Sequence, residues 1–367
     1  MKEPRLRLGV VGANPTLGWA PRTHLPAILS LPEFDLEAVC TTKRESAEAS
    51  AQKYEAGKAY WSYRDLVADP DIDVVDVCVK VPYHHEIVMA ALDAGKHVYC
   101  EWPLGADVAQ AAEMVQLASA RGVHTMVGLQ ARGAPSILHA RQLIAEGWLG
   151  RVVSATMVQF GSGLLQTRAP DGVWRADRGN GAHTLSISAG HALDAFCWCV
   201  GPFVEVGAIV DTLALEWQLE GGGTVAVTAP DYVALTGRLA GGAAASVTVA
   251  SMPWHGSGFR MEVYGTEGTL VASASGQAQA LGWRLQGAQR DDKELHDLEV
   301  PAELRWAPDE VPAGTPVNVA QMMRRFAEGI RSGSQPEPTF AAALANHRLL
   351  EAIERSSESK SVVRLDQ

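Results

Sequence analysis

The feature that most constrains the fold is an alternation of short apolar runs with longer amphipathic segments between residues 6 and 150. The apolar runs are LRLGVVG, FDLEAVCTT, DVVDVCVKV and KHVYCEWP, and the segments after them have helical periodicity, near residues 24–30, 45–54, 84–95 and 107–121. Continuous Val/Ile-rich strands separated by helices are typical of parallel sheets covered on both faces. This half of the chain therefore predicts a doubly wound α/β fold.

The pattern changes after residue 150. Longer runs with a period of two follow, among them RVVSATMVQF, TVAVTAP, YVALTGRL, AASVTVASM and FRMEVYG, and helical segments at 317–332 and 340–356 close the chain. Such runs, joined by glycine-rich turns, predict a largely antiparallel open sheet. At 367 residues the chain is long enough for two domains, which we expect at 1–150 (α/β) and 151–367 (α+β). The last helices could pack back on the first domain.

Composition excludes several classes of function. A net charge of −11 without a cluster of Lys and Arg on a predicted helix argues against direct binding to nucleic acid or to an anionic membrane. No apolar run in the sequence is long enough to span a bilayer, so we expect a cytoplasmic protein. The five cysteines are scattered, and the lone Cys197-Trp198-Cys199 motif lacks the further ligands that zinc needs. We expect free thiols and no metal.

The first turn, GVVGANPTLGWAP, is an imperfect dinucleotide-binding fingerprint. Gly12 follows the first strand, Asn14 stands at the usual second glycine, and Gly18 comes one residue late, before Trp19. The arrangement still works if Gly12 forms the tight turn and the helix after Gly18 directs free N–H groups at a pyrophosphate. Asn is the non-glycine residue that best tolerates positive φ. The alternative is an ordinary structural turn without a ligand.

The end of the second strand bears on the choice of cofactor. An acidic residue that binds the ribose hydroxyls of NAD is expected there, but the sequence reads Thr41-Thr42-Lys43-Arg44. Hydroxyls and cations without a carboxylate suit a 2′-phosphate, which favours NADP(H) and leaves NAD(H) possible. The alternative is that Lys43 and Arg44 simply begin a solvated helix.

The whole chain resembles the Gfo/Idh/MocA oxidoreductases. The motifs that carry the resemblance are His84-His85-Glu86, AGKHVYCEWPL at 94–104, GLQARGAPSILHARQLIAEGWLG at 128–150, GNGAHTLSISAGHALD at 179–194 and YGTEGTL at 264–270. Gly18-Trp19-Ala20, the Glu-Trp pair and Leu-Gln-x-Arg at 129–132 are similar to the branch that contains the fungal galactose-regulon repressor. That branch includes a regulator as well as bacterial members described as oxidoreductases. The resemblance implies a Rossmann domain followed by an α+β substrate and oligomerisation domain.

The resemblance also implies a Glu-Lys-Pro motif in which the lysine transfers a proton beside the nicotinamide. Here the motif reads Glu101-Trp102-Pro103. An indole N–H does not titrate near neutral pH, so Trp102 cannot be the general acid or base. We interpret it as part of the wall beside the nicotinamide. Glu101 and Pro103 still fit a backbone that binds the nicotinamide ribose.

Two residues are candidates for the missing proton carrier. His191 and Asp194 match the family's His-x-x-Asp, although Ile187 stands where an aspartate is usual. His191 is the leading acid or base because an imidazole titrates closest to neutrality, and the alternative is a packed core histidine. Lys80 follows the apolar run VDVCV, at the strand edge where such sheets bind ligands.

Further residues are expected in the cleft of the resembled fold. Arg132 and Asp194 are predicted to bind substrate, and Arg132 could instead anchor the cofactor; Val81, His84 and Gln130 are predicted cofactor contacts. His183 would lie near the substrate hydroxyls, where it is a third candidate for the proton carrier, or, alternatively, would cap the following helix. Trp174 and Trp254 could offer flat faces to a sugar ring, or could be interface residues.

The leading hypothesis is an NAD(P)-dependent oxidoreductase that acts on a hydroxyl or carbonyl group of a sugar-like or cyclic polyol substrate. The alternatives are a non-catalytic dinucleotide sensor that acts through a protein partner and, less favoured, a purely structural subunit. Small apolar residues on the second-domain strands predict a homodimer or homotetramer through that sheet.

Overall fold

The computed structural model describes residues 4–279 and 282–365. The chain forms two compact units. The first unit runs to Gln130 and also contains Trp306–Leu344, and the second contains Ala131–Arg305 and the chain from Ala345 onwards.

The described part of the first unit is built on a parallel sheet of six strands in the order β3-β2-β1-β4-β5-β6, which confirms the predicted doubly wound fold. The strands are β1 (Leu6–Val11), β2 (Phe34–Cys40), β3 (Lys58–Tyr60), β4 (Val74–Val77), β5 (His97–Glu101) and β6 (Thr125–Gly128). The helices between them are α1 (His24–Leu29), α2 (Arg44–Tyr54), α3 (Tyr63–Ala68), α4 (His84–Asp93) and α5 (Val108–Arg121).

The short edge strand β3 has no counterpart in the sequence prediction. It is three residues long and half-buried, too short for a recognisable apolar run. The strand before Lys80 is therefore the fourth along the chain and ends at Val77, because the chain turns into a 3₁₀ helix over Val81–Tyr83. Lys80 precedes that helix and does not belong to the strand.

The second unit begins with α6 (Pro135–Ala145) and contains α7 (Gly190–Val200), which follows a π-helical turn at Thr184–Ala189. The main strands are β7 (Val152–Ser162), β8 (Phe203–Asp211), β11 (Tyr232–Leu239), β12 (Ala244–Met252), β13 (Gly258–Gly265), β14 (Gly268–Ala274), β15 (Arg284–Gln289), β16 (His296–Asp297) and β17 (Val363–Arg364). In the described residues they form one sheet in the order β16-β15-β14-β13-β7-β12-β11-β8-β17. β7 and β12 are parallel and the other pairs antiparallel, which confirms the predicted largely antiparallel sheet.

One predicted strand of that sheet lies elsewhere. In TVAVTAP only Thr224–Ala226 is extended, as β10, and it pairs with β9 (Glu216–Gln218) in a separate two-stranded ribbon. Glycines at 221–223 turn the chain directly back from β9 to β10, so the two short strands pair with each other. The prediction that TVAVTAP contributes to the large open sheet face is therefore wrong.

The last helices are α8 (Pro316–Ser332) and α9 (Phe340–Ser359). α8 packs on α1 inside the first unit, where Met323 and Phe326 join Leu25, Ile28 and Tyr99 in one buried cluster. The N-terminal segment of the first unit runs to Gln130, whereas the expected boundary lies at residue 150; α6 packs on α7, β14 and β15 of the second unit.

The second-unit sheet has two unlike faces. Met157, Val247, Val249 and Met261 point to one face and are buried, and α7 packs there on β7 and β13. Ser154, Thr156 and Ser246 alternate with them on the other face and are partly exposed, and Thr236 on the same face is exposed. Ile209 on β8 is 61% exposed. This open face is mostly small and polar.

Position 12, directly after β1, requires glycine for two reasons: the backbone angle φ and the lack of room for a side chain. Its φ is +99°, and a Cβ built there would lie 2.1 Å from the carbonyl oxygen of Cys78. The turn after β1 is therefore packed against the backbone that follows β4. No L-residue with a side chain fits without moving one of these segments.

We expect Gly12→Ala to lower the free energy of unfolding by about 2–5 kcal/mol, the sum of a left-handed backbone and an overpacked contact. The matched control is Gly122→Ala, because Gly122 also has positive φ but has open space around it, and about 1–2 kcal/mol is expected there. Urea denaturation of both variants tests this. Equal losses would show that the Cys78 carbonyl is not the constraint.

Candidate functional site

The carboxyl ends of the first-unit strands bring the candidate residues of that unit together. Gly12 follows β1, Lys80 lies beyond the end of β4, Glu101 ends β5 and Gln130 follows β6. In an open parallel sheet these ends share one edge, and ligands bind there. The first turn and the Glu-Trp-Pro segment therefore belong to one region of the molecule.

A buried histidine links the helix after the first turn to two of these strands. His24, the first residue of α1, contacts Asp76 Oδ2 through Nδ1 and Glu101 Oε1 through Nε2, both at 2.8 Å. The imidazole and the Asp76 side chain are fully buried, and the Glu101 side chain is 11% exposed. A ring that donates to two carboxylates must carry both protons. The geometry therefore fits an imidazolium shared by Asp76 and Glu101.

The electrostatics agree with that assignment. Burial by itself lowers the pKa of His24, but the surrounding negative groups, led by Asp76, outweigh it and raise the pKa well above 6.5. Burial raises the pKa of Asp76, and the charge of His24 opposes that rise. The proton on His24 is thus held by the fold at neutral pH.

Glu101 is fixed from a second side. Gln130 Nε2 donates to Glu101 Oε1 at 2.7 Å, beside the contact from His24. Gly128 leaves room for this carboxylate, since a Cβ at that position would lie 2.3 Å from Glu101 Oε1. Glu101 and Gln130, both predicted as cofactor contacts, are therefore brought together in one buried network.

The first turn is organised by its asparagine. Asn14 Oδ1 accepts the N–H groups of Thr16 and Leu17 at 3.0 and 2.9 Å, and the N–H groups of Gly12 and Ala13 donate to the Cys40 carbonyl. Gly18 has φ +95° and open space around it. The N–H groups of Gly18 and Trp19 have no acceptor among the described residues and precede a 3₁₀ helix at Ala20–Arg22.

This division of the turn refines the prediction for Gly12, Asn14 and Gly18. The backbone at Gly12 and the side chain of Asn14 shape the turn, and the backbone at 18–19 is the part with free donors. Free backbone N–H groups ahead of a helix fit the phosphates of a dinucleotide. α1 itself starts only at His24, because the 3₁₀ turn comes first.

Some of the side chains after β2 already have hydrogen-bond partners within the protein. Thr41 is buried and its hydroxyl bonds the Lys43 carbonyl at 2.9 Å and Ser46 Oγ at 2.6 Å, whereas Thr42 and Lys43 are exposed. Arg44 Nε donates to Glu48 at 2.7 Å, and the guanidinium lies 5.2 Å from the ring centre of Trp61. Thr41 is thus a structural hydroxyl, and Arg44 is held on the first turn of α2.

His84 and Val81 lie in the interior and not on a ligand surface. His84 is 1% exposed, and its ring nitrogens face the carbonyl oxygens of Pro103 and Val79 at 2.8 and 3.1 Å. Burial lowers its pKa, so the neutral ring donates to one of them. The predicted cofactor contact by His84 is replaced by a structural one, because the ring connects the segment after β4 to the one after β5. Val81 is buried, and Lys80 is exposed.

Trp102 is 4% exposed, and Pro103 is also buried. The indole is therefore enclosed by protein and fixed in place directly after the carboxylate of Glu101. It adds an apolar surface and no titratable group.

In the second unit, Arg132 and Asp194 pair with each other. Arg132 donates to Asp194 through Nε at 3.0 and 3.1 Å and through Nη2 at 2.6 Å, and both side chains are nearly buried. The Arg132 guanidinium also lies 4.2 Å from the ring centre of Trp198, which Arg141 approaches at 3.3 Å. The two predicted substrate residues thus form a bidentate ion pair that fixes α7 to the segment before α6.

His191 and His183 occupy different environments in this unit. His191, on α7 next to that ion pair in sequence, is 4% exposed. His183 is partly exposed and caps the π-helical turn, with Nδ1 accepting the Ser186 N–H at 3.3 Å, so its neutral ring carries the proton on Nε2. Burial and the charge of Arg178 lower the pKa of His183 to about 4. His183 and Ile187 both line a cavity of about 270 Å³.

The two tryptophans predicted to contact a sugar ring, Trp174 and Trp254, differ in their exposure. Trp174 is half-buried in the 3₁₀ segment Pro170–Ala176, and its carbonyl accepts a hydrogen bond from Asn180. Trp254 is 65% exposed in the loop after β12. Neither ring lines the 270 Å³ cavity, where the indole of Trp217 is found instead.

Within residues 4–279 and 282–365 no helix is long and apolar enough to cross a membrane. The same residues contain no group of three or more His, Cys, Asp or Glu side chains placed to hold a metal ion. All five cysteines are free thiols.

The chain belongs to the Gfo/Idh/MocA oxidoreductase family with an NAD-binding Rossmann fold. The model of the family's Rossmann domain matches residues 6–129, and the model of its C-terminal domain matches residues 137–271. This confirms the family that the sequence motifs resemble.

The curated relatives include both enzymes and regulators. The chain is 36% identical over 210 residues to dehydrogenase aclE of Aspergillus oryzae (56% of this chain, 57% of the relative) and 29% identical over 256 residues to the galactose/lactose metabolism regulatory protein GAL80 of Saccharomyces cerevisiae (65% and 58%). It thus spans less than two thirds of the length of either protein. Levoglucosan dehydrogenase of Pseudarthrobacter phenanthrenivorans is 28% identical over 314 residues (76% and 79%).

Among solved structures, an NAD binding oxidoreductase from Klebsiella pneumoniae superposes with a TM-score of 0.84 at 28% identity, covering 99% of this chain and 100% of that one. The shared fold therefore extends over both units.

His24, Asp76 and Gly128 were not singled out from the sequence. Asp76 interrupts the apolar run VVDVCV, and a carboxylate inside a buried strand is a signal for a charged partner. His24 gives no comparable signal, because its two partners lie 52 and 77 residues away along the chain.

We expect His24→Gln to lower the free energy of unfolding by about 3–5 kcal/mol at pH 7, because two buried carboxylates lose their cation. Adding Asp76→Asn should restore part of this loss, since a neutral amide needs no counter-charge. Because the pKa of His24 is raised from 6.5, its contribution is fully present below pH 6.5 and is lost as the pH rises through the raised value. Denaturation curves of the single and double variants at several pH values measure these changes in the free energy of unfolding. A decrease of less than about 1 kcal/mol for His24→Gln at pH 7 would contradict a buried imidazolium at position 24.

Proposed function

We propose that this protein is an NADP(H)- or NAD(H)-dependent oxidoreductase that transfers a hydride to or from a hydroxyl or carbonyl carbon of a sugar-like or cyclic polyol. The observation that carries the proposal is the turn at Gly12–Trp19, with free backbone donors at Gly18 and Trp19, at the ligand-binding edge of the first-unit sheet. Family membership supports the chemistry, and the levoglucosan dehydrogenase relative supports a carbohydrate-like substrate.

The chain's own residues divide the work as follows. A bound nicotinamide dinucleotide supplies or accepts the hydride. The backbone at 18–19 binds its phosphates, and the network of Glu101, Gln130 and His24 holds the strand end on which the nicotinamide side of the site is built. Trp102 excludes water and orients the ring. Water exclusion favours hydride transfer because it suppresses competing reactions.

The proton that accompanies the hydride needs a titratable group, and Trp102 is not one. We propose His191 as the acid or base and Lys80 as the second candidate. The assignment of Lys80 is supported by the exposure of its side chain beyond the end of β4. His191 supports it by its place on α7, which the Arg132–Asp194 ion pair holds rigid.

NADP(H) is the proposed preference. The segment 41–44 has no carboxylate, Thr42 and Lys43 are exposed, and Arg44 stands on the first turn of α2. Glu48 already pairs with Arg44, so the exposed cation of Lys43 is the stronger candidate for a 2′-phosphate.

A second candidate function is a non-catalytic dinucleotide sensor that acts through a protein partner. Trp102 and Ile187 stand at the two positions where the family pattern predicts a lysine and an aspartate, and one of the relatives is a regulatory protein. For either function we propose a homo-oligomer through the open face of the second-unit sheet, including β12 (AASVTVASM) but not β10. The small side chains of this face support close approach of a second copy, although Ser and Thr make it more polar than the sequence analysis expected.

For the cofactor, we expect Lys43→Ala with Arg44→Ala to weaken NADP(H) binding about tenfold or more and to change NAD(H) binding little, because only NADP(H) carries the 2′-phosphate. Calorimetric titration with both dinucleotides measures this. Arg121→Ala is the control for charge, because Arg121 is a cation at the end of α5 that pairs with Asp93. Equal weakening of both cofactors, or none, would count against the preference.

For the chemistry, we expect removal of the true proton carrier, by His191→Asn or Lys80→Met, to reduce kcat about 10²–10⁴-fold with little change in cofactor affinity. His85→Asn is the control, because His85 is a partly exposed histidine paired with Glu113. Steady-state kinetics on a hydroxylated substrate give the result. Unchanged turnover in both variants would exclude the two residues, and cofactor binding without turnover on any substrate would favour the sensor.

A further inference from the structure

The second unit contains a polar cavity of about 270 Å³, close to the lower limit for small-molecule sites. It lies between the ends of β7 and β12, the π-helical turn and the 3₁₀ segment Pro170–Ala176, and all its lining residues belong to this unit. The side chains that characterise it are Arg168, Arg175, His183, Trp217, Asp231 and Gln277.

Arg168 is held firmly without a counter-ion. Its Nη2 donates to the carbonyl oxygens of Gly163 and Leu164 at 2.8 and 3.5 Å, and its guanidinium lies 5.0 Å from the ring centre of Trp217. Its Nε is buried with no acceptor in the described chain. Burial and the like charge of Arg175 lower the pKa of Arg168. Carbonyl groups and an indole leave its positive charge uncompensated.

Arg175 is a second cation on the same cavity. It is exposed at the cavity rim and, within the residues that the structure describes, it has no carboxylate or other hydrogen-bond partner. Neither arginine is paired with a carboxylate in the described residues, so their like charges repel each other, and an oxyanion between them would relieve this repulsion.

The other titratable groups of the lining offset only one of the two positive charges. Asp231 contributes a carboxylate, but its two oxygens accept the N–H groups of Leu213 and Ala214 at 2.8 and 2.9 Å. His183 is neutral near pH 7, since its pKa is lowered to about 4. The cavity therefore has an excess of positive charge.

The rest of the lining suits hydroxyl groups. Ser162, Thr184, Ser188 and Ser251 contribute to the wall together with the amide of Gln277. Hydroxyl and amide groups can each donate and accept hydrogen bonds, as a polyol requires. The cavity thus combines hydroxyl-compatible walls with a cationic end.

We propose that this cavity binds a small polyhydroxylated anion, a sugar acid or a sugar phosphate, whose oxyanion contacts Arg168 and Arg175. The proposal rests on the oxidoreductase function for the chemistry, and it names the substrate class as anionic. It excludes neutral sugars as the preferred ligand.

Calorimetric titration without cofactor tests the proposal with three probes: glucuronate, glucose 6-phosphate and glucose. We expect at least one anion to bind about tenfold or more tightly than glucose at low salt, because charge-assisted hydrogen bonds to Arg are the stronger kind. Whichever anion binds identifies the group as carboxylate or phosphate. Glucose binding as tightly as both anions, or no measurable binding of either anion at millimolar concentration, overturns the proposal.

Arg175→Gln should weaken binding of the anion about tenfold and leave glucose unchanged, and the fold should be intact because this side chain has no partner in the described residues. Arg178→Gln is the matched control, since Arg178 has the same charge three positions later but pairs with Glu354 at 2.8 Å. An effect below threefold is expected there. Equal losses in both variants would overturn direct contact by Arg175.

The same probes separate this proposal from the oxidoreductase function. Anion binding that depends on Arg175, without turnover with either dinucleotide, supports the cavity ligand and contradicts the enzyme. Turnover restricted to neutral polyols supports the enzyme and overturns the anionic substrate class.

Discussion

The first unit depends on one charged histidine. His24 begins α1, and its two nitrogens contact the carboxylates of Asp76 on β4 and Glu101 on β5. A buried cation between two acids gives all three groups a charged hydrogen-bond partner, and removal of the cation leaves two buried carboxylates without a counter-charge. Because Gln130 binds the same Glu101 oxygen, the network also reaches the end of β6. One interaction thus sets the relative positions of a helix and three strand ends at the edge where the cofactor is proposed to bind.

The glycines at this edge have two distinct tasks. Gly12 and Gly128 are glycines because other atoms occupy the space of a side chain: the Cys78 carbonyl in one case and the Glu101 carboxylate in the other. Gly18 has open space and a positive φ, so its role is conformational. Asn14 does not take up the positive φ of the glycine that it replaces; it shapes the turn through its side-chain oxygen, which accepts the N–H groups of Thr16 and Leu17.

Local pattern was sufficient to predict the architecture. The Val/Ile runs predicted four of the six described parallel strands, all but β3 and the four-residue β6, and the alternating runs predicted β7, β11, β12 and β13. β3 and the β9–β10 ribbon were not predicted, because a strand of three residues is too short to show a period of two in its apolar residues. For the site, Gly18 was singled out by the imperfect glycine pattern, and Glu101 and Gln130 by the family resemblance; contact of these residues with a cofactor stays a prediction. The His24 network and the Arg132–Asp194 pair were not, because they join residues 52–77 positions apart, and no local pattern records such contacts.

Two arginines of the second unit, Arg132 and Arg168, differ in whether a carboxylate neutralises their charge, and this difference distinguishes a structural site from a proposed binding site. Arg132 is opposed by Asp194 in a bidentate pair, so its charge is neutralised inside the fold and contributes to the rigidity of α7. Arg168 is equally well oriented, but by carbonyl groups and an indole, and these leave the charge in place. A protein that needed Arg168 for packing alone would gain from an acid beside it, since a partly buried cation without a counter-ion is unfavourable. An external oxyanion supplies that counter-ion when it binds. The unfavourable free energy of the unpaired Arg168 charge in the folded protein is then relieved, and this relief favours binding of an anionic ligand over a neutral one.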